Sequence, residues 1–454
     1  MPNQPDKTAA KKIVIVGGVA GGMSAAAKAK RVNPELDITV YEKSGFISYG
    51  ACGMPYVIGG DIESLEKLLA RTPAEMAEQG VAVRVRHEVV TIDPDNKTLT
   101  VKNLEMGESF SDSYDALVLA TGALAVRPEL PGIDLGGVHV LRTLEDAAAI
   151  QETIRAGAKE AVILGGSYIG LELAEALVKA GLSVQVLEQQ PSLLGAFGPK
   201  PAEAALEELE DNSVAVFLET QVTALVGDKH VSEVVTSDGR LTADLVIIAV
   251  GARPNTALAA SLGLTLGPAG AILTDDHLRT SLEGIYAVGD VTAVQHIVTG
   301  QPAWIPLGDT ANKQGRILGN LLGGKTGRFK GVAGTAIVKV FERAFATTGL
   351  TLRAARDAGF DAQSHDITTS DHAGYYPDKQ PLMVTLVWEK GRGRLLGAQL
   401  VGHGDALKRV DVVAALLFQG GTLQDLADLD LAYAPPFSGV WDPLLVAANV
   451  ALGR

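Results

Sequence analysis

The chain has 454 residues, 47% hydrophobic and 20% charged, ordinary proportions for a folded protein with a substantial core and room for about three domains. Its net charge of −14 argues against a general nucleic-acid binder, and no apolar run approaches the ~20 residues of a membrane span. The first twelve residues are polar and lack the apolar core of an export signal, which with a single cysteine predicts the reducing cytoplasm.

Residues 12–16 read as a short strand buried in a parallel sheet. They end in Gly17-Gly18-Val19-Ala20-Gly21-Gly22 and pass into a helix former at 24–31. Residues 38–41 are the next strand and close on Glu42 and Lys43. Cys52, the only cysteine, follows in Ser48-Tyr49-Gly50-Ala51-Cys52-Gly53-Met54-Pro55-Tyr56. A lone sulfur forms no internal disulfide. Thiol chemistry at Cys52 therefore needs a sulfur from a substrate or bound small thiol, or an oxidised state of Cys52 itself. Taken alone, such a cysteine is more often a buried core thiol. An apolar strand at 116–119 then runs into Thr121-Gly122.

The first unit recurs. Residues 161–164 lead to Gly165-Gly166-Ser167-Tyr168-Ile169-Gly170, a helical stretch at 171–177, and a strand at 183–187 that ends on Glu188. Two further apolar strands end at Gly251 and at Gly289-Asp290. Glycines permit the tight turn and let backbone approach a pyrophosphate at a helix N-terminus, while the acid accepts from ribose hydroxyls. Val19 and Ser167 hold the middle glycine position, so neither copy is a perfect fingerprint. Two copies, each with its acid, make a merely structural turn a poor explanation.

Together these segments resemble the two-dinucleotide flavoproteins of the pyridine nucleotide-disulfide reductase family, over nearly the whole chain. The resemblance implies an α/β fold with two Rossmann-like domains and a C-terminal α+β dimerisation domain. The expected boundaries are 12–125 with 254–328 for FAD, 126–253 for NAD(P)H, and 329–454 for dimerisation. Gly17, Gly22, Glu42 and Asp290 are assigned to FAD, and Gly165, Gly170 and Glu188 to the nicotinamide cofactor. Ala20, Gly21, Lys43, Thr121, Gly122, Ile169, Gly251 and Gly289 complete the cofactor sites. Tyr168 resembles the residue that gates the flavin face, and Glu172 the acid beside the nicotinamide. NADH is expected over NADPH, because a carboxylate at Glu188 repels a 2′-phosphate and Gln189 and Gln190 offer it no cation. No metal ligand set is read from the sequence.

The cysteine narrows the family. The chain has no C-x4-C pair, and its last histidine, His403, lies far from the end. It resembles the single-cysteine branch, which holds NADH peroxidases, NADH oxidases and coenzyme A-disulfide or persulfide reductases. Ala20 stands where the peroxidase and oxidase patterns have a histidine, and Gly-Ala-Cys-Gly-Met-Pro-Tyr is closest to the coenzyme A-disulfide reductase motif. The segments at 334–341, 372–377, 408–411 and 429–436 are similar to that reductase too. The resemblance implies a homodimer in which Tyr433 and Tyr375, ahead of Tyr376, reach the partner's active site. Cys52 would be the redox-active nucleophile, its pKa lowered by a helix start with Pro55 in the first turn. Ser24, Lys28, Arg31 and Ser48 match positions that contact coenzyme A as substrate or bound thiol, although Lys28 and Arg31 could equally be a solvated helix face. Ala51 and Trp441 depart from the pattern, replacing an Asn and a Lys. The expected activity is NAD(P)H-dependent reduction of coenzyme A disulfide or related small disulfides and persulfides. NADH oxidase or polysulfide reductase is the alternative, and a flavin-bound redox sensor or electron-transfer partner the alternative of another class.

Overall fold

The computed structural model describes residues 11–454. Most of the polar N-terminal stretch read above lies outside the described residues. The apolar runs form strands buried on both faces, as parallel sheets require. The first sheet has the order Ile285–Ala287, Ala116–Leu119, Lys12–Val16, Asp37–Tyr41, Val81–Arg84, every pair parallel. The second repeats it in the order Ala215–Phe217, Ser183–Leu187, Glu160–Leu164, Leu245–Ile248, Val138–His139, again all parallel. The chain leaves the first sheet after Leu119 and builds the second. It then returns beside its outgoing path, where Ala123–Ala125 pairs antiparallel with Ala252–Pro254, and completes the first sheet with Ile285–Ala287.

The C-terminal part is a five-stranded antiparallel sheet, Ala336–Val340, Arg343–Gly349, Leu395–Gly402, Pro381–Glu389, Ala362–Ser370. Helices Val410–Gln419 and Pro443–Ala451 bury Val413, Leu417, Leu444 and Ala448 in its core. Its first hairpin reaches elsewhere. Val338, Val340, Phe341 and Phe345 are buried in one cluster with Leu171, Leu173 and Leu177 of the second sheet's helix.

One helix pair positions the first glycine loop. Helix Gly308–Leu322 lies against helix Ala20–Val32 through Gly315 and Gly319, where an added Cβ would stand 2.3 Å from the Gly21 carbonyl oxygen and 2.6 Å from Lys28 Cβ. The first helix begins at Ala20, inside the glycine loop and earlier than the sequence suggests, so Gly21 and Gly22 are helical. Among the described residues no helix is long and apolar enough to cross a membrane.

Candidate active site

The two glycine loops are near copies in space. Gly17 and Gly165 have φ of +110° and +109°, where a side chain is strained, and a Cβ would meet the Ala120 or Ala249 carbonyl oxygen at 2.1 or 2.6 Å. A Cβ at Gly22 or Gly170 would lie 2.0 or 2.2 Å from the carbonyl oxygen of Gly17 or Gly165. Glu42 accepts from Gly18 N–H at 2.7 Å and Ser44 N–H at 2.8 Å. Glu188 accepts from Gly166 N–H and Gln190 N–H, each at 2.7 Å. Among the described residues no side chain caps either following helix, and Ser167 turns its hydroxyl to the Ala249 carbonyl instead. Two uncapped helix starts, each with an oriented carboxylate at the next strand end, fit two dinucleotides.

The other positions expected at the cofactors lie on segments that adjoin these loops. Gly122 and Gly251 turn at positive φ beside the crossing strands, and Asn255 locks the crossing. Its carbonyl accepts from the Thr121 hydroxyl at 2.7 Å and its N–H donates to the Gly122 carbonyl at 2.9 Å. Gly289 donates its N–H to the buried Gln314 side chain at 2.7 Å, and the Asp290 carbonyl accepts from Trp304 at 2.8 Å, which fixes the Gly289-Asp290 turn. Ile169 packs partly into its domain's core, and Lys43 stands exposed after Glu42.

Cys52 lies on the short 3-10 turn Ala51–Gly53, just before helix Met54–Ile58, with Pro55 in the first turn as expected. The expected lowering of its pKa is not what the surroundings produce. The thiol is solvent-accessible, yet the walls around it remove enough water that burial pushes it up. The carboxylates of Glu172 and Asp290 add to that rise, and only Arg142 and a backbone contact oppose it. Arg142 pairs with Asp290 at 2.5 Å. Glu172 is itself pushed up to about 7, first by burial and then by Glu175, with Tyr56 acting the other way. Burial also raises Tyr168, helped by Asp290 and Cys52, and holds Tyr56 at about 12. The structure thus brings Cys52, Tyr168, Glu172 and Asp290 together from three distant segments. It adds Tyr56 and Arg142, which sequence reasoning did not single out, although Tyr56 closes the cysteine motif.

Beside the cysteine segment lies a cavity of about 640 Å³. All four residues expected at the substrate, Ser24, Lys28, Arg31 and Ser48, line it, as does Ala20. Lys28 is half-buried and Arg31 exposed, so both face solvent as well as the cavity. Arg71 and Arg316 add two more cations, and Asn312 holds the Ser24 hydroxyl at 2.6 Å. Asn312 and Arg316 were missed because they lie far along the chain from the motif, and Arg71 because a single arginine in a loop carries no pattern. The regular glycines of helix Gly308–Leu322 were the available signal.

Tyr375 and Tyr433 meet each other, hydroxyl to hydroxyl at 3.3 Å, on the exposed face of the C-terminal sheet region. Phe437, Val440 and Trp441 lie exposed in the same stretch as Tyr433. The charged groups acting on Cys52 within one chain come from the two nucleotide-loop domains, not from this tyrosine pair.

Residues 11–315 match the family described as pyridine nucleotide-disulphide oxidoreductase, and residues 335–444 its dimerisation domain. The chain is 38% identical over 442 residues to the NAD(P)H coenzyme A polysulfide/persulfide reductase of Pyrococcus horikoshii, covering 97% of this chain and 98% of that one. Reduced Bacillus anthracis CoADR-RHD superposes with a TM-score of 0.96 at 35% identity, over 99% of this chain and 81% of that one. The water-forming NADH oxidase of Lactobacillus brevis bound to NADH superposes with a TM-score of 0.94 at 30% identity, over 98% of each chain. Two matched nucleotide loops, one thiol between them and an antiparallel C-terminal sheet have one explanation: the chain belongs to the pyridine nucleotide-disulphide oxidoreductase family.

Proposed function

We propose that the protein is an FAD-dependent, NAD(P)H-consuming reductase of coenzyme A disulfide or a related persulfide, acting as a homodimer in the cytoplasm. The single observation that carries this reading is a four-cation cavity lined in part by Ser48, Tyr49 and Gly50, the residues that lead into the only cysteine. Lys28, Arg31, Arg71 and Arg316 suit a ligand rich in phosphate, and the adjacent thiol suits its sulfur end. The Pyrococcus horikoshii relative's name joins the same two elements. The domain boundaries read from the sequence remain part of this proposal, with FAD on the loop of Gly17 and the nicotinamide cofactor on the loop of Gly165.

When bound, FAD carries the electron pair from the reduced nicotinamide to the sulfur side. The chain's residues do the rest. The Cys52 thiolate attacks one sulfur of the substrate; that S–S bond breaks, a mixed disulfide forms, and the departing thiolate takes a proton. Delivery of two electrons splits the mixed disulfide, freeing the second thiol and restoring Cys52. The balance is one disulfide, one NADH and one proton giving two thiols and NAD⁺. Tyr56 and Tyr168 border the thiol within the chain, and the Tyr375–Tyr433 pair is proposed to reach it from the partner. Ala20 supplies no donor to stabilise an oxidised sulfur, which weighs against the oxidase reading.

The test is a visible spectrum before and after NADH, with recolouring followed on adding coenzyme A disulfide or air. Fast recolouring by the disulfide alone is expected, and equally fast recolouring in air would establish the oxidase. Cys52→Ser should keep bleaching by NADH and lose disulfide reduction by orders of magnitude.

A further inference from the structure

Glu175 is 4% exposed on helix Tyr168–Lys179, one turn beyond Glu172 and two beyond Tyr168. A buried carboxylate needs partners. Lys339 Nζ donates to it at 2.8 Å, the Phe341 backbone N–H at 2.7 Å, and Lys179 Nζ stands at 2.9 Å. Lys339 and Phe341 belong to the first hairpin of the dimerisation domain, whose turn places Phe341 at φ +50° with its ring in the nucleotide domain's core. Buried Glu208 grips the same hairpin through the Glu342 N–H at 2.9 Å and Arg343 Nε at 3.1 Å.

Glu208 accounts for a clasp. Glu175 does more, because residues three apart share a helix face. The titratable groups that face Glu172 are Tyr56 from helix Met54–Ile58, Cys52 from the turn before it and Tyr168 from Glu172's own helix. Glu175 does so too from that helix, with Lys339, Lys179 and, through Lys179, Asp61 beyond it. The strands behind the helix offer apolar Ala161, Ile163, Val184 and Val186.

We propose that Glu175 is a positioning residue through which the dimerisation domain, by the Lys339 ammonium and the Phe341 N–H, acts on the active-site acid Glu172 one turn away. The hairpin's Lys339 offsets the Glu175 charge, so a loosened hairpin leaves that charge less compensated and Glu172 holds its proton more tightly. The proposal rests on reading Glu172 as an active-site acid, but its test needs no disulfide substrate.

The experiment follows Cys52 alkylation by iodoacetamide against pH in the dimeric holoprotein. Glu172 acts on the thiol, so its ionisation marks an inflection in the profile. Glu175→Gln should move that inflection to lower pH by about one unit, and Lys339→Met should move it to higher pH. Glu172→Gln should abolish it, and Glu175→Asp, which keeps the charge, should leave it near the wild-type position. A purely structural clasp lowers Tm in the variants and leaves the inflection in place. That result, shifts of one sign, or no inflection in the wild type overturns the proposal. If Glu175→Gln does not fold, Lys339→Met decides alone. Failure of disulfide turnover would sink the proposed function and leave this titration standing.

Discussion

Tyr375 and Tyr433, 58 positions apart in the chain, place their hydroxyls 3.3 Å from each other on an exposed face. The contact raises Tyr375, as expected when one phenol donates to its neighbour. Two exposed, mutually bonded phenols beside Phe437 and Trp441 suit an interface that a second copy covers. Mixing Cys52→Ser with a Tyr375→Phe/Tyr433→Phe double variant should then restore activity on subunit exchange. One site of each heterodimer carries both lesions and the other carries neither. Up to half-site activity per heterodimer is expected, and none, despite proven exchange, would put the tyrosines outside the shared site.

The repeated loops were legible because their signal is local: strand, glycines, helix, strand and acid lie within one short segment. The parallel sheets follow from it, whereas the clustering of Ser24, Lys28, Arg31 and Ser48 at one cavity was expected only from the family resemblance. Arg71, Arg316, Arg142 and Glu175 were not legible. Arg316, Arg142 and Glu175 act across a domain junction or a helix pair, Arg71 sits in a loop, and single charged residues carry no periodicity. The direction of the Cys52 pKa was not legible, because a helix start is visible in sequence whereas the burial of the thiol and the approach of Glu172 and Asp290 arise only in the fold.

Glu188 should make NADH the preferred cofactor. Both of its oxygens already accept backbone N–H groups, which aims the carboxylate's remaining lone pairs at a ribose and its charge at any 2′-phosphate. The ratio of kcat/KM for NADH over NADPH should exceed one and fall at least about tenfold in Glu188→Ala, the cost of losing one such discriminating contact. A wild-type preference for NADPH contradicts this role.

Gly22→Ala should cost flavin retention, because the new methyl would meet the Gly17 carbonyl at 2.0 Å and neither backbone can yield without opening the loop. Gly195→Ala is the control, since open space surrounds that position. Comparing flavin content per protein after gel filtration separates them. Equal retention in both would remove the tight loop from flavin binding.

Arg71 and Arg316 should bind phosphate. Replacing either by Ala is expected to raise KM for coenzyme A disulfide about tenfold, near the ~1.5 kcal/mol of one charge-assisted hydrogen bond, with kcat little changed. A small disulfide without phosphates should show no such effect. Equal losses on both substrates would mean that the arginines merely support the fold.

Glu172 should make stability fall as pH rises. Its carboxyl is pushed up to about 7 in the folded protein from an ordinary 4.5. Between those values the folded state holds a proton that the unfolded chain has released, so each step upward in pH favours unfolding. At 1.36 kcal/mol per pKa unit the full cost reaches about 3 kcal/mol, complete above pH 7. Glu172→Gln imitates the protonated acid and carries no such cost. The Tm of the variant should therefore match the wild type below pH 4.5 and exceed it increasingly up to pH 8. A difference that stays constant with pH, or that shrinks, would show that Glu172 is already ionised in the folded protein.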